Sequence, residues 1–210
     1  MQLREPPAID NDEITRLPLH FITLPTGRTD NWPVTITVCH WNTLSHPTAM
    51  RFEHLIQINA PEAYQLPTLT RAQLWRGLAL RAYDPADFVL GLEGCAVTNH
   101  VRDGDIETLE RTLYFGAFEV HDRVMVDNTT HSVRVDVPAT EKWPACTAVT
   151  NIEEPEPLSL FVRFVYEWND NDAAELALDD TARRLREQAC LSVDMDTVAR
   201  IREMSLHDLS

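Results

Sequence analysis

The sequence predicts an α+β fold: an antiparallel sheet of about seven strands curled around one long C-terminal helix, with a cavity between them. Three observations carry this. One strand-like segment at 51–59 precedes a short helical stretch, and about six more strand-like segments follow it. The later segments succeed one another at hairpin distance, with Gly, Asp, Asn or Pro in the gaps. The final stretch, from about 171 to 204, is rich in Ala, Leu, Glu and Arg and has helical length.

Residues 1–49 read differently from the rest. They hold six of the 13 prolines and three of the 8 histidines, with only short strand-like pieces such as 34–38. Met50 stands directly before the first convincing strand. Two readings are open. One is a dispensable extension, disordered or outside a native product that begins at Met50. The other is a short β appendage packed on a sheet edge. The expected domain is residues 50–210.

After the first strand, Thr70-Arg71-Ala72-Gln73 forms a capping box. The Thr70 hydroxyl can accept from the Gln73 amide, and the Gln73 side chain can bond the Thr70 amide. Leu69 and Leu74 fit a hydrophobic staple, and Leu74, Leu78 and Ala82, flanked by Trp75, form an apolar stripe. Asp84-Pro85 reads as a second N-cap with proline at the first helical position, opening a short second helix that ends near Val89.

Strands are expected at 94–102, 109–115, 118–126, 131–137, 147–153 and 158–168. Turns fall at Asp103-Gly104, Gly116-Ala117 and Asp127-Asn128-Thr129. Such a meander makes an antiparallel sheet. In the last helix, Leu178, Leu185 and Ala189 lie near one face. Val198 and Ile201 extend that face past an expected irregularity at Ser192-Val193.

Composition excludes several function classes. Net charge is −15, from 33 acidic against 18 basic residues, and Lys142 is the only lysine. Phosphate neutralisation needs clustered cations, so neither a nucleic acid nor an anionic membrane surface is an expected partner. The most apolar run, 158–168, contains Arg163 and Glu167, so membrane insertion is not expected. Cys39, Cys95, Cys146 and Cys190 are far apart and form no C-x-x-C. They read as small buried thiols of a cytoplasmic protein, not as a metal knuckle or a disulfide framework.

The string LPTLTRAQLWRGLALRAYDPADFV at 66–89, the LYFGAFEVHDRVMV hairpin and the terminal VDMDTVARIREMS together resemble the AtaL-like branch of the START-like (SRPBCC) superfamily. The resemblance covers residues 50–210 and leaves 1–49 outside. It implies the helix-grip (START/Bet v 1-like) fold: a curved seven-stranded antiparallel sheet around a long C-terminal helix, with two short helices after the first strand. The superfamily includes lipid carriers, plant hormone receptors, pollen allergens and polyketide aromatase/cyclases. It has no universal catalytic motif, so the resemblance implies a pocket and not a reaction.

The hairpin at Gly116-Ala117 can be read in register. A two-residue loop pairs Phe115 with Phe118, Leu113 with Val120, Arg111 with Asp122 and Glu110 with Arg123. Both charge pairs are opposite in sign, which supports the register. Leu109, Leu113, Phe115, Phe118, Val120, Val124 and Val126 then share the face of Arg111 and Asp122, which is expected to be concave and apolar. Val133, Val135 and Val137 share one parity, as do Leu158, Leu160, Val162, Phe164, Tyr166 and Trp168. Trp75 and Leu78 are expected to cover one mouth. The expected ligand-binding residues are therefore Arg111, Asp122, Trp75, Leu78, Leu113, Phe118, Val120, Val135, Phe164 and Tyr166.

Arg111 and Asp122 have two readings. They are a structural ion pair, or Arg111 orients a carboxylate, carbonyl or phenolate on a greasy ligand. His121 shares a face with Glu119, Arg123 and Thr112 and is expected to point outward. His54 and His100 lie on strands without a nucleophile beside them. No phosphate loop, dinucleotide fingerprint, G-x-S-x-G or H-E-x-x-H occurs, so no catalytic residue, cofactor or metal is expected.

Three functions remain. The first is binding of a small apolar or aromatic molecule as a carrier, sensor or pathway accessory. The second is an aromatase/cyclase-like enzyme acting on a polyketide-type or aromatic intermediate. There Arg111 would polarise a carbonyl and Asp122 or Tyr166 would move a proton. The third is an interaction module with a filled core. A void of a few hundred Å³ separates the third from the others.

Overall fold

The computed structural model describes residues 21–22, 36–38, 49–59, 68–141, 144–169 and 180–207. Among these residues nine strands form one antiparallel sheet. β1 (Phe21–Ile22) and β2 (Ile36–Val38) are short; the long strands are β3 (Ala49–Gln57), β4 (Gly94–Asp103), β5 (Ile106–Phe115), β6 (Phe118–Asp127), β7 (Ser132–Val137), β8 (Ala145–Glu153) and β9 (Phe161–Asn169). Across the sheet they run β1-β2-β3-β9-β8-β7-β6-β5-β4. The last long strand returns beside the first, and the meander β4–β9 does the rest. The seven long strands are the curved sheet of the helix grip. β1 and β2 add two short rungs beyond β3.

Two helices occur among the described residues, α1 (Arg71–Tyr83) and α2 (Asp180–His207). The α1 start follows its capping box. The Gln73 amide donates to Thr70 Oγ1 at 3.2 Å, and the Thr70 amide donates to Gln73 Oε1 at 2.9 Å. Its buried side is Leu74, Gly77, Leu78 and Ala82.

The second short helix expected at Asp84-Pro85 does not form. Phe88 and Val89 amides both reach Pro85 O, at 2.9 and 3.0 Å, and the chain passes into turns at once. Asp84 Oδ1 does accept from the Ala86 amide at 3.4 Å, as a cap would, but Gly91 (φ 79°) ends the segment before a second helical turn.

The terminal helix also differs in detail. The expected irregularity at Ser192-Val193 is absent, and Thr197 Oγ1 simply donates back to Val193 O at 2.9 Å. Leu185 is 62% exposed and Ala189 is exposed, so neither lies on the packed face; Leu178 lies outside the described residues. The buried face is Leu191, Asp194, Val198, Ile201 and Ser205.

Where α1 crosses α2, a Cβ on Gly77 would come within 2.5 Å of the Ile201 side chain. On β4, the register shifts between Val97 and Asn99, so Thr98 is an extra residue opposite the Arg111–Glu110 step. Its hydroxyl donates to Glu110 O at 3.0 Å.

Candidate functional site

The register assigns every strand residue to a face. One rung runs Phe52–Tyr166–Ala148–Val135–Val124–Leu109 across six strands. A neighbouring rung runs His54–Phe164–Thr150–Val133–Val126–Glu107. Both face α2, since Ile56, Val162 and Phe164 share a core cluster with Val198 and Ile201. The second rung is buried throughout. On the first, Tyr166, Ala148 and Val135 are only half-buried, and so are Cys146, Val137 and Val120 farther along. The grip is therefore closed where α1 packs and accessible at the other end.

A cleft of about 620 Å³ opens at that end. Pairing between β6 and β7 stops at Arg123↔Asp136, so beyond it the two strands part. Arg111, Asp122, Val137 and Cys146 line the cleft from the concave side, and Glu110, Arg123, Arg134 and Asp136 form a polar outer lip. This is an open breach in the sheet wall, more polar than the apolar pocket the sequence predicts.

Arg111 and Asp122 are both buried and joined by two bonds, Nε to Oδ1 at 2.9 Å and Nη2 to Oδ2 at 2.6 Å. Nη1 donates to Ala82 O at the C-terminal end of α1. The guanidinium thus ties the sheet to an unpaired carbonyl of the helix end, where a cation also suits the dipole. All three of its nitrogens are already engaged.

A second polar cluster lies deeper, between sheet and α2. Tyr166 donates its hydroxyl to Asp194 Oδ2 at 2.7 Å. His54 Nε2 is 3.1 Å from the same oxygen, but off the line that a hydrogen bond requires. Arg81 Nη2, from α1, stands 4.0 Å from Asp194 Oδ1. The side chains of His54 and Asp194 are 0% exposed. Burial, and then the Asp194 charge, hold the Tyr166 hydroxyl well above the ordinary phenol range. Around the cluster runs a row of rings: Phe52, His54, Phe164, Tyr166 and Trp168, with neighbouring centroids 5.1 to 6.3 Å apart. Arg186 lies over the Trp168 ring at 5.4 Å. Cys146 and Cys190 flank the accessible end, with thiols pushed by burial to about 11 and about 12.

The residues expected from sequence divide among these regions. Val120, Val135 and Tyr166 are half-buried on the concave face, and Arg111 and Asp122 line the cleft. Leu113 is buried beside them, whereas Leu78 and Phe164 belong to the filled end. Trp75 packs between the two core clusters, stacked on His131 at 5.0 Å. Phe118 is 54% exposed at the hairpin tip, stacked on Phe115. His121 is exposed on the convex face, as expected, and contacts Thr112 Oγ1 at 3.0 Å.

Sequence reasoning set His54 aside for want of a nucleophile beside it and did not single out Asp194. The signal was a histidine between Phe52 and Ile56 at strand parity, and an aspartate inside the apolar stripe of α2. Among the described residues no group of three or more His, Cys, Asp or Glu could hold a metal ion, and no helix is long and apolar enough to cross a membrane.

Comparison with known proteins adds a family and a fold. The family model described as acetylaranotin biosynthesis cluster protein L matches residues 56–207. No curated protein matches the chain at a significant level. Among solved structures, the Zhui aromatase/cyclase from Streptomyces sp. R1128 is similar with a TM-score of 0.50. It is 11% identical, over 77% of this chain and 96% of that one. The di-domain ARO/CYC StfQ from the steffimycin biosynthetic pathway has a TM-score of 0.53 at 8% identity. The match covers 77% of this chain and 52% of that protein. At these identities the likeness is one of fold.

Proposed function

Because the chain belongs to the AtaL family and folds as a helix grip, we propose that it binds a small apolar or aromatic molecule inside the grip, as a carrier, sensor or pathway accessory. The observation that carries this is the run of half-buried side chains on the concave face: Tyr166, Ala148, Val135, Val137, Cys146 and Val120. They are mostly apolar, they share the face turned to α2, and two of them, Val137 and Cys146, line a cleft of about 620 Å³. A cleft in this size class, polar at its lip and apolar along the concave wall behind it, suits a small molecule that carries a few polar groups. Val120, Val135 and Tyr166 form the wall in this reading, and the Arg111–Asp122 pair holds the mouth in shape.

Native mass spectrometry of the protein purified from its source tests the reading. A co-purifying lipid or aromatic is the expected result, and its mass identifies the ligand class. Homogeneous ligand-free protein that also takes up no aromatic probe would end the proposal.

A second reading is an aromatase/cyclase-like enzyme acting on a polyketide-type or aromatic intermediate. The Tyr166–Asp194 hydrogen bond favours it, since a phenol held by a buried carboxylate can pass a proton. Turnover of a bound intermediate separates this from a carrier.

A further inference from the structure

We propose that Tyr166, Asp194 and His54 form the polar subsite of the interior, and that it takes the neutral hydroxyl of a planar aromatic ligand, a phenol or an enol. This rests on the ligand-binding reading above and adds the ligand's chemistry.

Asp194 Oδ1 and both ring nitrogens of His54 have no hydrogen-bond partner, yet none of the three touches solvent. Buried polar atoms are nearly always paired with protein, water or ligand. Here an acceptor and an imidazole sit side by side, unpaired and closed off from solvent. One hydroxyl can serve both, donating to Asp194 Oδ1 and accepting from the imidazole N–H.

Charge narrows the choice. Arg81 stands 4.0 Å from Asp194 Oδ1, so the carboxylate already has a counter-charge. An ammonium group would meet Arg81, and a phenolate would meet Asp194. A neutral O–H donor meets neither objection.

Shape narrows it further. Tyr166 is nearly parallel to its neighbours, 12° from His54, 24° from Phe52 and 13° from Trp168. Its pairing partner on β8 is the small Ala148, also half-buried. A flat ring laid over Ala148 and the Tyr166 edge puts a substituent at the Tyr166 hydroxyl, where Asp194 begins.

The test compares 2-naphthol with 2-methylnaphthalene by titration calorimetry on the full chain. The two share size and shape, and only the first has an O–H. A purely apolar cavity prefers 2-methylnaphthalene, which is the more hydrophobic. The proposed subsite reverses that order, with 2-naphthol binding at least about tenfold tighter, because buried polar groups left unpaired penalise the analogue. His54→Phe keeps the row of rings and removes both nitrogens, and Asp194→Leu removes the carboxylate. Each is expected to abolish the preference for 2-naphthol while 2-methylnaphthalene still binds. Equal binding by the unaltered chain overturns the subsite but leaves ligand binding standing. Failure of both probes to bind overturns both readings. A preference that persists in a folded variant also overturns the subsite. If neither variant folds, the order of the two probes on the unaltered chain still decides.

Discussion

Arg111 ties three elements together: it stands on β5, pairs with Asp122 of β6 and donates to Ala82 O at the end of α1. Its pairing with Asp122 follows from the two-residue loop at Gly116-Ala117, and the register agrees at every position from Phe115↔Phe118 to Ile106↔Asp127. Its other partner, Ala82 O, was not legible, because strand parity carries no information about which helix end lies overhead. The pair is buried, so removing one member strands the other. Asp122→Ala is expected to cost about 3–5 kcal/mol, read as a lower denaturant midpoint. The double change Arg111→Met with Asp122→Leu is expected to recover most of that loss. Retained stability in Asp122→Ala alone would show the pair to be wetter than its burial implies. The meeting of His54 with Asp194 was illegible for the same reason as Ala82 O: it is helix against sheet, across 140 residues of chain. Titration adds a prediction. Burial raises Tyr83 from 10.0 to about 12, Cys146 from 9.0 to about 11 and Cys190 from 9.0 to about 12, and Tyr166 moves the same way. The unfolded chain therefore loses these protons first as pH rises. Stability is expected to be fully present below about pH 9 and to fall from there upward, and Tyr166→Phe is expected to shallow the fall, as followed by thermal melts.

At the scale of elements, propensity and patterning located strands and the α1 start well. The Thr70 cap forms with both of its bonds. Thr70→Ala is expected to cost about 1 kcal/mol. What patterning missed was termination. Asp84-Pro85 has correct opening chemistry for a helix, but nothing after Val89 sustains one, and a start signal does not encode length. The packed face of α2 was read correctly at Val198 and Ile201, which are buried, and wrongly at Leu185 and Ala189, which are exposed. Gly77 makes a sharper point. Glycine inside a helix is normally worth replacing by alanine, which favours the helix by roughly 0.5–1 kcal/mol. Here the added methyl would meet Ile201 at 2.5 Å. Gly77→Ala is expected to lower the melting temperature, and Ile201→Val in the same chain is expected to restore part of it. A rise in melting temperature for Gly77→Ala alone would mean that the helices can separate at no cost.

For the whole molecule, the order of elements was enough to predict a sheet gripping a helix, because few arrangements bury one face of a meander. How full the interior is could not be read, since cavity size depends on where side chains stop and not on their pattern. The result is a grip filled at the α1 end and accessible at the other. Ala148 sits at the boundary, on the rung of Tyr166 and Val135. Ala148→Phe is expected to fill the accessible end and weaken aromatic-probe binding by at least about tenfold, with melting temperature nearly unchanged. Undiminished affinity in that variant would place the ligand elsewhere. The sheet's far margin has its own consequence. β4 is ten residues long, has β5 on one side and no strand on the other among the described residues, and carries Val97 and Val101 at 45% and 53% exposure. Its extra residue, Thr98, bends that border out of line. A straight ribbon there would be a template on which a neighbouring molecule could add its own, and then another. Excising Thr98 is therefore expected to turn a well-behaved sample into one whose light scattering grows with concentration, its kink having served to keep strangers from joining the row.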